Sequence, residues 1–402
     1  MRSNKNRNVV IIERKTTIMM TALILGVLAS ISPLATDVYL PSFPEMSESL
    51  GASPSQVQLT LTTFLLGMAL GQLVIGPYSD VIGRRLPLNV SIFVFVMTTI
   101  LSAFTNSIWT LILLRFIQGF SGAGGVVLSR AIVRDLFTGY QVTKYMAILT
   151  IINSVITVLA PVIGGILLTF TDWRGIFIFL SILSIVMFFS VFFGIKETLL
   201  ESERSHSGIK NTILNFGQLF KNKVFVGYVF TQGFIYGGFF AYLAGSPFVL
   251  QNLYGLSAQS FSISFAVNAA GVIVATLIAS KLALRFTEKN VLQITLIISL
   301  LSSIILFFTI FLNGALTIIL ITFFFIFSCL GVVGMLCNSL GMQSQKEYVG
   351  SASALLGLVP FIFGSITAPL VGIDGGQTAL PMGMIILICN VLAMIIFKRY
   401  VR

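Results

Sequence analysis

Apolar runs too long for a soluble core recur along this chain. They fall near 17–40, 55–77, 87–105, 108–129, 146–170, 175–195, 224–250, 258–280, 291–312, 315–340, 350–372 and 378–397, twelve in all, each closed by a polar break. A helix needs about 20 mostly apolar residues to cross the hydrocarbon core of a bilayer. Within lipid only helices or closed barrels satisfy the backbone, and barrel strands would alternate polar and apolar residues, which these runs do not. Composition agrees. Of 402 residues, 56% are hydrophobic and only 9% charged, against about 25% charged in a soluble protein. Soluble enzymes and disordered chains are thereby excluded. The expected fold is all-α integral membrane. Twelve transmembrane helices form two six-helix bundles, over 1–195 and 224–402, joined by a linker over 196–223.

The linker is the longest interior polar stretch. Its second part, 211–223, mixes Ile213, Leu214, Phe216, Leu219 and Phe220 with Lys221 and Lys223. That pattern predicts a short helix lying on the membrane surface. The net charge of +11 raises the possibility of an acidic partner, but position decides against nucleic acid. With the N-terminus inside, 22 of the 24 lysines and arginines lie in the N-tail, the even-to-odd loops, the linker and the C-tail. Arg174 alone falls outside and Arg115 alone within a span. The positive-inside rule then places both termini and the linker in the cytoplasm. Spread over seven segments, the charges offer no single basic face. The basic N-terminal stretch is not a cleavable signal, because no small-residue cleavage site closes the run that follows.

Catalytic chemistry finds little footing. No phosphate-binding loop of the type G-x-x-x-x-G-K-[ST] is present. A lone histidine, His206 in the linker, leaves no metal cluster and no Ser-His-Asp set. Cys329, Cys337 and Cys389 lie in apolar runs and read as small buried hydrophobes. Twelve helices in a 6+6 plan with a linker point instead to a secondary transporter, not an enzyme.

The loop after span two reads Gly76-Pro77-Tyr78-Ser79-Asp80-Val81-Ile82-Gly83-Arg84-Arg85. It resembles the major facilitator superfamily signature G-x-x-x-D-[RK]-x-G-R-[RK] at five positions: Gly76, Asp80, Gly83, Arg84 and Arg85. Val81 departs from it. Gly83 permits a tight turn, Asp80 can cap a helix N-terminus, and Arg84 can pair with Asp135 at the end of span four. Together they would latch the cytoplasmic side in an outward-facing state. Further segments narrow the resemblance. Span four carries Leu114-Arg115-Phe116-Ile117-Gln118-Gly119 and Arg130-Ala131-Ile132-Val133-Arg134-Asp135-Leu136. Span five ends Ala160-Pro161-Val162-Ile163-Gly164-Gly165, span eleven opens Gly350-Ser351-Ala352-Ser353-Ala354-Leu355, and span one holds Pro33-Leu34-Ala35-Thr36-Asp37-Val38-Tyr39-Leu40-Pro41. These resemble the bicyclomycin/chloramphenicol resistance (Bcr/CflA) family of bacterial drug:proton antiporters over nearly the whole chain. The resemblance implies a twelve-helix facilitator fold in the inner membrane and proton-driven export. The span-five antiporter motif usually has Gly before Pro161; Ala160 is still small enough for close helix packing.

Asp37 and Arg115 are the only charges set within the apolar spans rather than at their ends. A charge buried in the bilayer costs several kcal/mol, so such residues usually face a cavity and work. A carboxyl withdrawn from water favours its neutral form. Asp37 is therefore the expected proton site, in competition with substrate, and Arg115 is expected to face the cavity and share in proton coupling, polarising a relay or holding substrate. A straight count from Thr17 puts Asp37 about 30 Å along span one, near its outer end unless Pro33 and Pro41 bend the span. Tyr39, Gln118, Asn153, Tyr236, Tyr242, Asn268 and Asn338 are polar groups within spans. As a set beside 36 phenylalanines they suit a large apolar cavity with a few convergent polar groups. Gly67 and Gly71, and the run Gly119, Gly122, Gly124 and Gly125, suit close helix crossings.

The expected protein is thus a monomeric exporter of amphiphilic drugs, with protons as coupling ion and no other cofactor. The alternative is an exporter dedicated to one metabolite, such as a siderophore or peptide. A proton-driven uptake system is disfavoured by Pro161 and its glycines. From a different class, a non-transporting membrane sensor would usually carry a sizeable soluble signalling domain, which this chain lacks.

Overall fold

The computed structural model describes residues 19–204, 208–345 and 348–401. Every regular element among them is helical. His206 lies outside the described residues. Eleven helices are long and apolar enough to cross a membrane, and a bent pair of segments supplies the twelfth crossing.

That bent crossing is the first. Helix α1 (Met19–Ala29) meets the unit Ile31–Ser49 at 42°. Ser30 marks the break and gives its hydroxyl to the Gly26 carbonyl at 2.8 Å. The unit contains α2 (Ile31–Asp37), a 3-10 turn over Leu40–Ser42 and α3 (Phe43–Ser49). The apolar run closes near residue 40, just before Pro41 and Pro44. Here they sit in the first turns of the 3-10 turn and of α3, where proline is tolerated. Span one thus continues past residue 40 to Ser49.

The rest of the first half is α4 (Pro54–Ile82), α5 (Arg85–Phe104), α6 (Ile108–Leu136), α7 (Tyr140–Leu167) and α8 (Trp173–Gly194). Next comes α9 (Gly208–Leu219). The second half is α10 (Lys223–Pro247), α11 (Ala258–Leu282), α12 (Glu288–Phe311), α13 (Leu316–Gln343), α14 (Val349–Leu370) and α15 (Leu380–Ile396). Most bounds fall within a few residues of the apolar runs. The exceptions, α4, α6 and α7, extend five to seven residues past their apolar runs at the end that carries the charged loop motifs.

Small residues set the most extensive crossing, between α4 and α6. A side-chain carbon on Gly67 would stand 2.2 Å from the Phe116 carbonyl oxygen, and one on Gly119 2.1 Å from that of Phe64. The two halves meet where α4 packs on α14 and α7 on α11. Met19, Val401, the α4–α5 loop and both ends of α9 share one face, here called the terminal face. Among the described residues, three side-chain hydrogen bonds join one half to the other, and all lie at the opposite face. Ser55 donates to the Gly372 carbonyl, Gln251 Nε2 to that of Pro41 at 3.1 Å, and Gln259 Nε2 to that of Gly165 at 3.2 Å. The rings of Phe43 and Phe248 add to the seal, 6.0 Å apart. On the terminal face the halves part around a cavity of about 370 Å³. Helix α9 is more than a surface helix: Leu219 is buried with Ala352 and Leu355 of α14, while Leu214 and Phe220 remain exposed.

Candidate functional site

The two intramembrane charges occupy different settings. Arg115 has no exposed surface. Its Nη2 donates to the Ala35 carbonyl at 2.8 Å and its Nη1 to Gln118 Oε1 at 2.5 Å. Gln118 in turn donates to the Thr99 hydroxyl at 2.7 Å. The guanidinium lies 4.3 Å from the Tyr39 ring centre and 4.4 Å from that of Phe64. Tyr39 is fully buried, its hydroxyl 3.2 Å from Thr60. Arg115 therefore does not face a cavity, and Tyr39 and Gln118 line none. A planar cation with five donors is matched by carbonyls and ring faces inside the first half. Only its Nε lacks a partner.

Asp37 sits at the C-terminal end of α2, 4% exposed. It is the only carboxylate among the buried described residues. Among the described residues its one hydrogen bond comes from the Thr36 hydroxyl, at 2.7 Å. No ion pair joins it to Arg115 among the described residues. The extension of span one to Ser49 answers the question of depth, since Trp173 Nε1 donates to Ser49 at the opposite face, roughly a dozen residues beyond Asp37. Asp37 is thus held inside the protein rather than at a solvated end.

The span-five motif packs directly against this point. A side-chain carbon on Gly164 would meet the Val38 carbonyl oxygen at 1.9 Å, so α7 touches the backbone of span one next to Asp37. On the neighbouring side a carbon on Gly165 would stand 2.5 Å from Ser262 Oγ of α11. Ala160 is fully buried and Pro161 lies within the helix. The motif therefore wedges between the Asp37 segment and the second half.

Across that junction is Tyr242, close enough to Asp37 for the two groups to interact electrostatically. Asn268 donates to its hydroxyl at 3.1 Å. Tyr242, Asn268 and Asn153 line a pocket of about 150 Å³ with Phe239, Phe265 and Phe327. Three of the seven polar candidates are therefore brought together. Tyr236 is half-buried on α10, its hydroxyl 2.7 Å from where a Gly334 side-chain carbon would stand. Asn338 is exposed, its amide turned back to the Gly334 carbonyl at 2.7 Å.

At the terminal face the charged loop motif forms a clasp. Arg84 Nε donates to Asp135 Oδ2 at 3.0 Å, and Nη1 bonds Asp80 and, at 2.7 Å, the Ser79 hydroxyl. Asp80 thus pairs with Arg84; no helix-capping bond by it is seen among the described residues. The capping role falls to Glu197, just past α8. Its carboxylate accepts the backbone N–H of Arg84 at 2.9 Å and of Arg85 at 3.1 Å, at the start of α5. It also takes those of Thr198 and Leu199, at 2.9 and 3.1 Å. Partial burial alone would raise the Glu197 carboxyl, but these four donors hold it below the usual carboxylate range. Gly83, at φ 105°, both turns the chain and leaves room for that carboxylate; a side-chain carbon there would meet Glu197 Oε2 at 2.6 Å. Thr198 completes the clasp with a bond to Asp135 at 3.0 Å. Gly76 lines the terminal-face cavity. Arg85 reaches the Phe192 carbonyl at 3.3 Å. The bonded network lies within the first half and the segment after α8; with the terminal face parted, it does not tie the halves together. Sequence reasoning missed Glu197 because 113 residues separate it from Arg84.

Two helical halves that seal at one face and part at the other, around a buried unpaired carboxylate at their junction, define a secondary transporter. The family model described as Major Facilitator Superfamily matches residues 25–369. A Bacillus subtilis (strain 168) protein, "Uncharacterized MFS-type transporter YdgK", is 42% identical over 94% of each chain. A Haemophilus influenzae protein, "Bicyclomycin resistance protein homolog", is 33% identical over 93% of this chain and 94% of its own. Among solved structures, a D-xylose–proton symporter superposes with a TM-score of 0.77 at 15% identity, over 96% of this chain and 98% of its own. The chain belongs to the major facilitator superfamily. It is a multi-pass membrane transporter, not an enzyme.

Proposed function

We propose that this transporter exports amphiphilic antibiotics from the cytoplasm across the bacterial inner membrane in exchange for protons. The name of the Haemophilus influenzae relative supports the substrate class. The observation that carries the coupling is the setting of Asp37, buried with one hydrogen bond among the described residues, beside the Gly164 contact that joins span one to α7. Charged, such a carboxylate in a dry junction is costly; protonated, it is not. With the opposite face open, Asp37 meets external water and takes a proton. Closing that face buries the neutral acid. Opening to the terminal side, read as cytoplasmic from the distribution of basic residues, lets substrate enter against Asn153, Tyr242 and Asn268 while the proton leaves.

The pocket at those residues, about 150 Å³, is smaller than a drug-sized site of about 300 Å³ or more. Further separation of the halves on the terminal side provides the remaining room. Transport of a dye and of chloramphenicol in everted vesicles tests the reading. Export should need the proton gradient and should fall about a hundred-fold or more in Asp37→Asn, the size expected when a required proton-transfer group is removed. Gradient-independent accumulation, or full-rate export by Asp37→Asn against a gradient, would sink it.

A further inference from the structure

The cavity at the terminal face holds chemistry that the clasp does not use. It lies between α4 and α6 of one half and α14 of the other, with Phe216 of α9 at its rim. Arg130 and Arg134 both line it. The basic-residue count treats Arg130 as a loop charge, but α6 continues to Leu136, so both arginines stand on its last turns, four residues apart. Both side chains are exposed to the cavity, and they are close enough to repel each other. Like charges at this spacing destabilise a helix. Neither makes a hydrogen bond or ion pair among the described residues, because Asp80 and Asp135 are engaged by Arg84.

Asp80 and Asp135 also line the cavity, their carboxylates held by Arg84, and the remaining polar groups can donate to an anion. Gln72 carries an amide nitrogen that is buried and without a partner, a donor awaiting an acceptor. Ser351 sits in the first turn of α14, which starts with no side-chain cap, and Ser353 follows in the next turn. A helix start favours negative charge. Leu73, Val127 and Leu358 supply an apolar wall. The volume, about 370 Å³, is in the range of sites for drug-sized molecules.

We infer that this cavity is a binding site for an anionic amphiphile, its carboxylate or phosphate held by Arg130 and Arg134 and its apolar part along Leu73, Val127 and Leu358. Both forked guanidinium groups suit an oxyanion, which would also relieve their mutual repulsion. The site is separate from the Asp37 pocket and stands whether or not Asp37 carries the proton. The same chemistry is offered by a soluble acid entering from the terminal side and by the headgroup of an anionic lipid.

Equilibrium binding of radiolabelled laurate to the full chain in nanodiscs tests the site, with dodecanol as the uncharged control. In phosphatidylcholine discs laurate should bind and dodecanol should compete poorly. Arg130→Gln and Arg134→Gln should each weaken laurate about ten-fold, the loss of one charge-assisted bond, while the Lys variants retain most of the affinity. Wild-type affinity should also fall as salt is raised from about 50 to 500 mM, a reading that needs no variant to fold. Replacing a fifth of the lipid by phosphatidylglycerol assigns the source: competition with laurate means the lipid headgroup, no competition a soluble acid. Salt-insensitive binding, dodecanol binding as tightly as laurate, or unchanged affinity in the doubly substituted Gln protein would each overturn the inference.

Discussion

Arg115 and Asp37 are both charges buried in apolar spans, and they differ in what surrounds them. Arg115 is enclosed within one half by two acceptors and flat aromatic faces, all of them parts of the same bundle. Asp37 has a single hydroxyl donor and sits where both halves and α7 converge. Burial alone thus does not mark a working charge in a membrane. A group whose partners belong to one rigid bundle stays put through a rocking cycle. A group left unsatisfied at a moving junction changes surroundings with each half-cycle, and only there can protonation be coupled to motion.

The contrast can be broken by four measurements. The largest effect is expected for Arg115→Ala, which leaves a cavity and strands Gln118 and the Ala35 carbonyl. About 3 kcal/mol of stability should be lost, read as a lower unfolding temperature with parallel loss of folded yield. Loss of export at unchanged stability would instead make Arg115 part of the transport cycle. Asp37→Asn should do the reverse, removing gradient-driven export while leaving the unfolding temperature at or above that of the wild type, since an amide costs less to bury than a charged carboxylate. A fall in stability as large as that of Arg115→Ala would erase the distinction.

Gly164→Val should come next. Its side chain would overlap the Val38 carbonyl, so α7 must move off span one and the seal at the opposite face must loosen. Overpacking of this kind costs about 1–3 kcal/mol, and export should fall several-fold. Cysteine labelling at the opposite face would report the loosened seal, and unchanged labelling would show that the Gly164 contact does not hold it. The smallest effect belongs to Glu197. Its carboxyl lies below the usual range in the folded protein, so it stabilises fully above the ordinary carboxylate value, about 4.3. That contribution fades as pH falls through the lower folded value. Glu197→Gln should lower the unfolding temperature slightly at neutral pH and flatten its decline in acid. An unaltered acid profile would mean the carboxylate contributes nothing as a helix cap.

Much of the molecule could be read from the chain. Each crossing is a run of apolar residues long enough for lipid, and no alternative structure satisfies its backbone there. Gly67 and Gly119 were legible as points of close approach, because only a missing side chain allows helix backbones to touch. Arg84 and Asp135 were legible as a pair, since the loop and the end of α6 had to be neighbours at one face. What escaped was anything set by the angle at which helices meet. The first apolar run ends near residue 40, yet the first crossing continues through Pro41 and Pro44 to Ser49. Arg130 looks like a loop charge, yet the helix carries it to a cavity wall.

The sequence by itself determined that this chain crosses a membrane twelve times and carries just two charges deep within its apolar runs, because hydrocarbon permits little else at such length and composition. Tertiary structure decided what surrounds each of those charges. Tyr39, Phe64, Gln118 and the Ala35 carbonyl come from different segments and meet at Arg115 only after the first half is packed. Val38, Gly164 and Tyr242 converge beside Asp37 only when the two halves are closed on one another. Periodicity along a chain records how much of each helix is apolar; it does not record which neighbour's carbonyl or ring will stand opposite a buried charge, and that contact sets whether the charge is a fixed support or a moving part.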